Sequence, residues 1–471
     1  MQAGGAVKRP GPALKTPVGV KKAQFEVFDP LSKETSVDDG FWQKYYPAQA
    51  TFQPLIFQIA PSSNFIDLGM CMLKVWVKLT KQDGTALGTD LNVGVVNNVG
   101  HSLIKRFDVK MNDTSVGEPT DLYMYKAYVT NLMNFSAEQK NTYLQVEGWY
   151  SDDAGRAKMN QFTTGTANTP KATTAGDYNA GYDARTRLFY SNYTLDGTGS
   201  GDTAQAGRTV LFCLQPDVDA FQSGRYLVPG VGMTLQIDFN DPRFVLMAAA
   251  DDTHRFEITQ AVFQVRHVRA NAAVHLDVES RQLQHQQTAR YPIRTTKPIR
   301  HSIKNGLAVA DFTDVFQQSV PDYLTLGMVA SNAFNGAKHL NPYYFDLFGL
   351  EDLRLVVNGI ERPLARYEFR THDAVEGYDT WWEASGALHR GFTNGIKRQD
   401  YNRGFALLRF NLTPDGKEGK KYKYDKNTGT LDLHLKFKTP LAAPITVLFI
   451  PEFENEILVD PNKVVTLAKN Y

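Results

Sequence analysis

Five cations open the chain without an acid among them. Lys8, Arg9, Lys15, Lys21 and Lys22 precede the first carboxylate, Glu26. A cluster of this kind can contact phosphates or a neighbouring subunit's carboxylates; the plain alternative is a solubilising tail. The chain as a whole has 51 basic and 50 acidic residues, a net charge of +1, so it is not a polyanion binder by bulk charge. Elsewhere, residues able to do chemistry are scattered. His275, Asp277 and Glu279 would line one face of a strand. On a helix only His275 and Glu279 come together, and a solvated helix is the better reading of so weak a spacing. The pairs Asp152–Asp153 and Asp251–Asp252 fall in loop-like sequence, which reads as solvated, with a bound cation the minor alternative. "GVGMTL" has two glycines spaced for a dinucleotide loop but lacks the third and is followed by a strand, so they are turn glycines. No G-x-S-x-G, phosphate-loop or H-E-x-x-H motif occurs. These residues do not argue for an enzyme, and no cofactor or metal is expected.

The two cysteines, Cys71 and Cys213, sit in apolar strand-like runs. They read as buried free thiols, which points mildly to a reducing assembly compartment. No signal peptide is apparent, and no run approaches the ~20 apolar residues of a spanning helix. The expectation is a chain made soluble inside the cell.

Most of the chain alternates like strands. In "LKVWVKLT", Leu73, Val75, Val77 and Leu79 take one face while Lys74, Trp76 and Lys78 take the other. "FDVKMND" alternates likewise and ends in an Asn-Asp turn. Tyr125, Tyr128, Val129 and Leu132 then fall on one helical face, and Ser136 with Gln139 matches a capping box. Residues 1–25 read as a flexible basic arm and 271–290 as a helical connector. Residues 151–208, dominated by Thr, Gly, Ala, Asp and Asn, read as a long loop insert, expected as a solvent-facing tower.

The plan repeats. "FCLQPD" at Phe212–Asp217 returns as "FNLTPD" at Phe410–Asp415, 198 residues later. At the same offset Tyr226 meets Tyr424, Leu235 meets Leu433, Phe239 meets Phe437 and Pro242 meets Pro440. "DLRLVVNG" repeats the strand ending in an Asn turn. Tyr378, Trp381 and Trp382 repeat the aromatic helix, with Gly386 as its stop. The expected organisation is an all-β chain with one sandwich over 45–270, carrying the insert, and a second over 291–471. Short helices are inserted at matching places.

"IDLGMCMLKVWVKLTKQDGT", "GRYLVPGV", "NAFNGAKHLNPYYFDLFGLEDLRLVVNG", "RGFALLRFNLTPD" and "EFENEILVD" resemble, in order, the double jelly-roll major capsid (hexon) proteins of Polinton/Maverick elements and adintoviruses. The resemblance runs from about residue 50 to about residue 465. It implies two tandem eight-stranded jelly rolls and a structural protein of an icosahedral DNA virus or virus-like element. Three chains would build a pseudo-hexagonal capsomer. It further implies a virion location after synthesis in the host cytoplasm, and penton or minor capsid proteins as partners. The arm would touch genomic DNA or neighbouring subunits. The alternatives are a carbohydrate-binding or hydrolytic tandem β-sandwich, which needs an aromatic platform or paired carboxylates, and a domesticated capsid-derived protein.

Overall fold

The computed structural model describes residues 35–49, 52–85, 87, 93–117, 119–157, 179–190, 208–362, 367–369, 374–385, 393–414 and 428–468. The first half holds β1 (Val37–Tyr45), β2 (Leu55–Ile59), β3 (Phe65–Thr80), β4 (Gly94–Val95) and β5 (Ile104–Met111). It continues with β6 (Thr114–Ser115), β7 (Thr209–Leu214), β8 (Met233–Phe239), β9 (Leu246–Met247) and β10 (Arg255–Ala270). Two sheets result, ordered β1-β10-β3-β7 and β2-β8-β5-β6, with β4 and β9 forming a small ribbon.

The second half holds β11 (Ala289–Thr296), β12 (Ile299–Ile303), β13 (Val309–Phe312), β14 (Tyr323–Ala330), β15 (Leu350–Val357) and β16 (Ile360–Glu361). After these come β17 (Tyr367–Glu368), β18 (Leu407–Asn411), β19 (Leu431–Phe437), β20 (Ile445–Val459) and β21 (Val465–Ala468). Its sheets run β11-β20-β14-β18 and β13-β19-β15-β16, with β12 and β21 also on β20 and β17 on β15. Counting the principal strands of either half in chain order, the first sheet reads first-eighth-third-sixth and the second reads second-seventh-fourth-fifth. That order is a jelly roll, and it occurs twice.

Alternation decides which side of each strand is buried. In β8, Met233, Leu235, Ile237 and Phe239 face the core, as Leu431, Leu433, Leu435 and Phe437 do in β19. The hairpin turns repeat as well. Asn112 (φ 43°) and Asn358 (φ 52°) both adopt left-handed backbone after β5 and β15. Each clamps the residue just before its neighbouring strand. Gly232 N donates to Asn112 Oδ1 at 2.8 Å, and Thr430 N donates to Asn358 Oδ1 at 3.0 Å. Asn tolerates this backbone because its short amide can bond locally. Gly232 and Thr430 stand at the same 198-residue offset as the repeated strands.

The α-helices among the described residues are α1 (Val99–Ser102), α2 (Tyr123–Asn134), α3 (Ala137–Lys140), α4 (Ala180–Arg187), α5 (Pro242–Val245), α6 (Ala272–Leu283), α7 (Ser331–Phe334), α8 (Val375–Ser385) and α9 (Arg398–Tyr401). The capping box at Ser136 and Gln139 forms with both reciprocal bonds. Helix α6 lies within the predicted connector, and α8 carries Tyr378, Trp381 and Trp382, while Gly386 lies outside the described residues. Three expectations need correction. Strand β1 begins at Val37, ahead of the expected boundary at 45, and is hidden in the sequence because "VDDGFWQKY" lacks clean alternation. Strand β11 starts at Ala289, inside the span read as connector. The 151–208 insert is not loop throughout: 158–178 and 191–207 lie outside the described residues, but α4 between them is packed, with Tyr182, Arg185 and Thr186 buried.

The Asn clamps yield a paired prediction. Asn358→Val forces a β-branched residue into left-handed backbone and removes the bond to Thr430. Together these should cost about 2–3 kcal/mol. Asn358→Gly keeps the backbone and should cost about 1 kcal/mol. Urea midpoints check this, and the same ordering should hold at Asn112.

Candidate functional site: the seam between the sandwiches

Lys8, Arg9, Lys15, Lys21 and Lys22 lie outside the described residues. His275 places its ring edge-on to Phe65, 6.0 Å between centroids, and Asp277 pairs with Arg281 one turn on at 2.9 Å. Among the described residues no three His, Cys, Asp or Glu side chains group as metal ligands. Gly230 sits at φ 85° in a turn, as read. Burial pushes the Cys71 thiol up to about 12 and raises Cys213 too, so neither is an activated nucleophile.

The loop aspartates depart from the solvated reading. Asp152 accepts from the buried Arg185 at 2.6 Å and from Asn341 at 3.2 Å. Arg185 also donates to the Val95 carbonyl at 3.0 Å. Asp252 holds His254 at 2.7 Å and Lys338 at 3.1 Å. Burial alone would raise the Asp252 carboxyl, but its bonds to His254 and Lys338 hold it below the usual range. Asn341 and Lys338 belong to the second half, so both aspartates tie one sandwich to the other.

One buried constellation has the composition of a catalytic triad. His101 Nδ1 lies 3.0 Å from Tyr123 OH and Nε2 lies 3.2 Å from Glu147 Oε2. Asn131 and the Gln215 amide also donate to Glu147, and the Asp217 amide donates to the Tyr123 oxygen. The network is satisfied when Tyr123 donates to Nδ1 and His101 carries its proton on Nε2. Both His101 and Glu147 are sealed from solvent. The adjacent cleft, lined by Phe107, Lys126 and Asp217, offers about 30 Å³, room for water but not for a substrate. The cluster therefore braces α1 against α2.

A cluster of buried aromatic rings joins the halves. Tyr128 of α2 stacks on Tyr343 with centroids 4.0 Å apart and planes within 3°. Tyr125 stacks on Phe334 at 5.5 Å and meets Tyr343 and Phe345 edge-on. Polar tips are satisfied across the seam: Tyr125 OH donates to the Pro342 carbonyl at 3.1 Å, and Tyr343 OH meets Ser102 Oγ at 2.7 Å. Rings that are buried with partnered hydroxyls combine a large apolar contact with directional bonds.

A charged network flanks the rings. Lys126 of α2 pairs with Asp219, whose other oxygen accepts the Thr296 amide of β11 at 3.1 Å. Burial disfavours the Lys126 charge, yet Asp219 and Asp217 outweigh it and hold the amine protonated. Glu452 is likewise kept ionised, against its burial, by Arg409 at 2.6 Å and Arg294 at 3.2 Å. Both guanidinium groups lie over the Tyr323 ring. Lys140 closes the far end, donating to the Leu132 carbonyl and to the Asn394 carbonyl of the second half. Sequence reasoning found Tyr125 and Tyr128 as a buried helix face but missed Tyr343, Lys126, Arg185 and Lys140, which no periodicity marks.

No protein-family model matches the chain. An uncharacterised protein of Caenorhabditis elegans is 22% identical over 414 residues, spanning 85% of this chain and 89% of that one. A cryo-EM structure of the Sputnik virophage contains a chain that superposes with a TM-score of 0.64 at 12% identity, covering 97% of this chain and 93% of its own. The mavirus major capsid protein superposes at 0.53 and 12% identity, covering 99% and 97%. PBCV-1 VP54 superposes at 0.53 and 10% identity, covering 94% and 99%. At such identities the likeness is one of fold, and it extends over both sandwiches. The chain is a double jelly roll.

Burial brings the Lys140 amine down to about 7, whereas an unfolded lysine titrates near 10.4. The unfolded chain therefore binds more protons between those values, and stability should rise with pH across pH 7–10. Lys140→Met removes this component. Its stability relative to the parent should fall by about 1.4 kcal/mol per pH unit through that window, read from denaturant midpoints. Parallel profiles would show that Lys140 stays charged in the fold.

Proposed function

We propose that this chain is the major capsid protein of an icosahedral DNA virus or virus-like element and assembles as a pseudo-hexagonal homotrimer. The observation that carries the reading is the duplication itself: two jelly rolls of one strand order, locked side by side by a buried aromatic seam. A tile with six neighbours can then be built from three chains, because each supplies two similar blocks at a fixed angle. The full-length fold likeness to the mavirus major capsid protein supports the same reading, as does the residue resemblance to Polinton and adintovirus hexons. The role is structural rather than enzymatic. The triad-like cluster around His101 is sealed, and the large aromatics of α2 face the seam rather than forming a sugar platform. Virion location, penton and minor capsid partners, and contact with the lattice follow from this reading.

The arm fits the same scheme as a tie between neighbouring subunits, with genome contact by Lys8, Arg9, Lys15, Lys21 and Lys22 as its competitor.

Negative-stain imaging of the purified protein should show pseudo-hexagonal trimers or shells. Featureless monomers at micromolar concentration contradict the capsomer and would favour a domesticated copy of the fold. Removing residues 1–22 should leave trimers intact and abolish trimer-to-trimer assembly. Normal shells with weaker, less salt-sensitive DNA retention would assign the cations to the genome instead.

A further inference from the structure

The two sandwiches differ in what covers one face. In the second, the outer side of the β11-β20-β14-β18 sheet is buried: Tyr323, Thr325, Leu407, Leu448 and Ile450 are all at most 4% exposed. The first half covers it. Glu452 on that side senses the charge of Lys126 in α2, and the Asp219 carboxylate reaches the Thr296 amide. Phe345 fills the space over Gly327 and is itself packed against Tyr125 and Tyr128.

The strand registers identify the same positions in the first sandwich. Trp76 pairs with Leu211 as Thr325 pairs with Arg409, and Lys74 pairs with Cys213 as Tyr323 pairs with Asn411. Here the face is more open, although Val262, opposite Lys74, is buried. Leu211 and Trp42 are each 41% exposed, and Trp76, Lys74 and Lys78 are partly open. Four cations, Lys44, Lys74, Lys78 and Arg266, share it with the carboxylates of Glu257 and Asp67.

The cover that the first half provides comes from α2, between its fifth and sixth principal strands. The segment at that place in the second half is α8. This helix contains no Lys or Arg, and its outward Val375, Glu376 and Asp379 are exposed. An acidic, partly apolar helix is thus left over, and so is a basic, partly apolar sheet face.

We infer that a second copy of this chain lays the α8 side of its second sandwich on the Trp42–Trp76–Leu211 face, so that the contact between chains repeats the one within a chain. This rests on the capsomer reading and names its interface. The contact is head-to-tail, with different surfaces on the two partners, the class of contact that makes a ring where its rotation closes.

Two variants and their mixture test it by sedimentation: Trp42→Ala with Leu211→Ala on the face, and Val375→Arg with Asp379→Arg on the helix. Each alone should associate about a hundredfold more weakly than the parent, with an unchanged circular dichroism spectrum. Their equimolar mixture should form a dimer through the one intact contact, without closing to a trimer. Carbodiimide crosslinking of unaltered trimers mixed from two isotope labels should join Lys74 or Lys78 of one chain to Glu376 or Asp379 of another. If the parent is trimeric and both variants remain so, or the interchain crosslinks avoid these segments, the inference falls and the capsomer reading stands. A parent that never leaves the monomer overturns that reading and the inference with it.

Discussion

The fixed placement of one sandwich against the other depends on one burial event, the closing of Tyr125 and Tyr128 against Tyr343, Phe334 and Phe345. Two jelly rolls joined only by α6 would be free to turn about that connector, because interdomain contacts are by default mobile. Stacked rings with partnered hydroxyls remove the freedom. They bury large apolar area, and the Tyr125 and Tyr343 hydroxyls find their partners, the Pro342 carbonyl and Ser102, across the seam. The ion pairs around the seam add selectivity for that angle more than net stability, since burying charge offsets much of the attraction between partners.

Duplication followed by divergence explains why the halves match in topology but not in surface. Strand order, the alternating strands β8 and β19, and the Asn clamps are retained because each serves its own sandwich core. The outward residues of equivalent sheets have changed most. Where Trp76 and Leu211 stand in the first copy, Thr325 and Arg409 stand in the second. The second set lives under a cover and has become compact or ion-paired. The first retains a mixed apolar and cationic surface.

Much of the fold was legible in the sequence because strands advertise themselves locally. Leu431, Leu433, Leu435 and Phe437 alternate in plain sight, and Asn358-Gly359 announces its own turn. The capping box at Ser136 was readable for the same reason. What failed was nonlocal. The helical period of α2 says that Tyr128 is buried but not that a residue more than two hundred positions away supplies the facing ring. Asp152 reads as a solvated loop acid until Arg185, on a helix inside low-complexity sequence, turns out to neutralise it. Strand β1 hides because an edge strand with Trp42 outward and Phe41 stacked on His267 shows no tidy two-residue pattern.

The seam makes one body of two self-sufficient sandwiches. Differential scanning calorimetry of the parent and of Tyr343→Ala tests it most directly. The parent should melt in one transition that includes both halves. Removing the ring should cost about 3–5 kcal/mol of coupling and split the melt in two, because each jelly roll keeps its own core. Two separate transitions in the parent, or a single unshifted transition in the variant, would contradict the account.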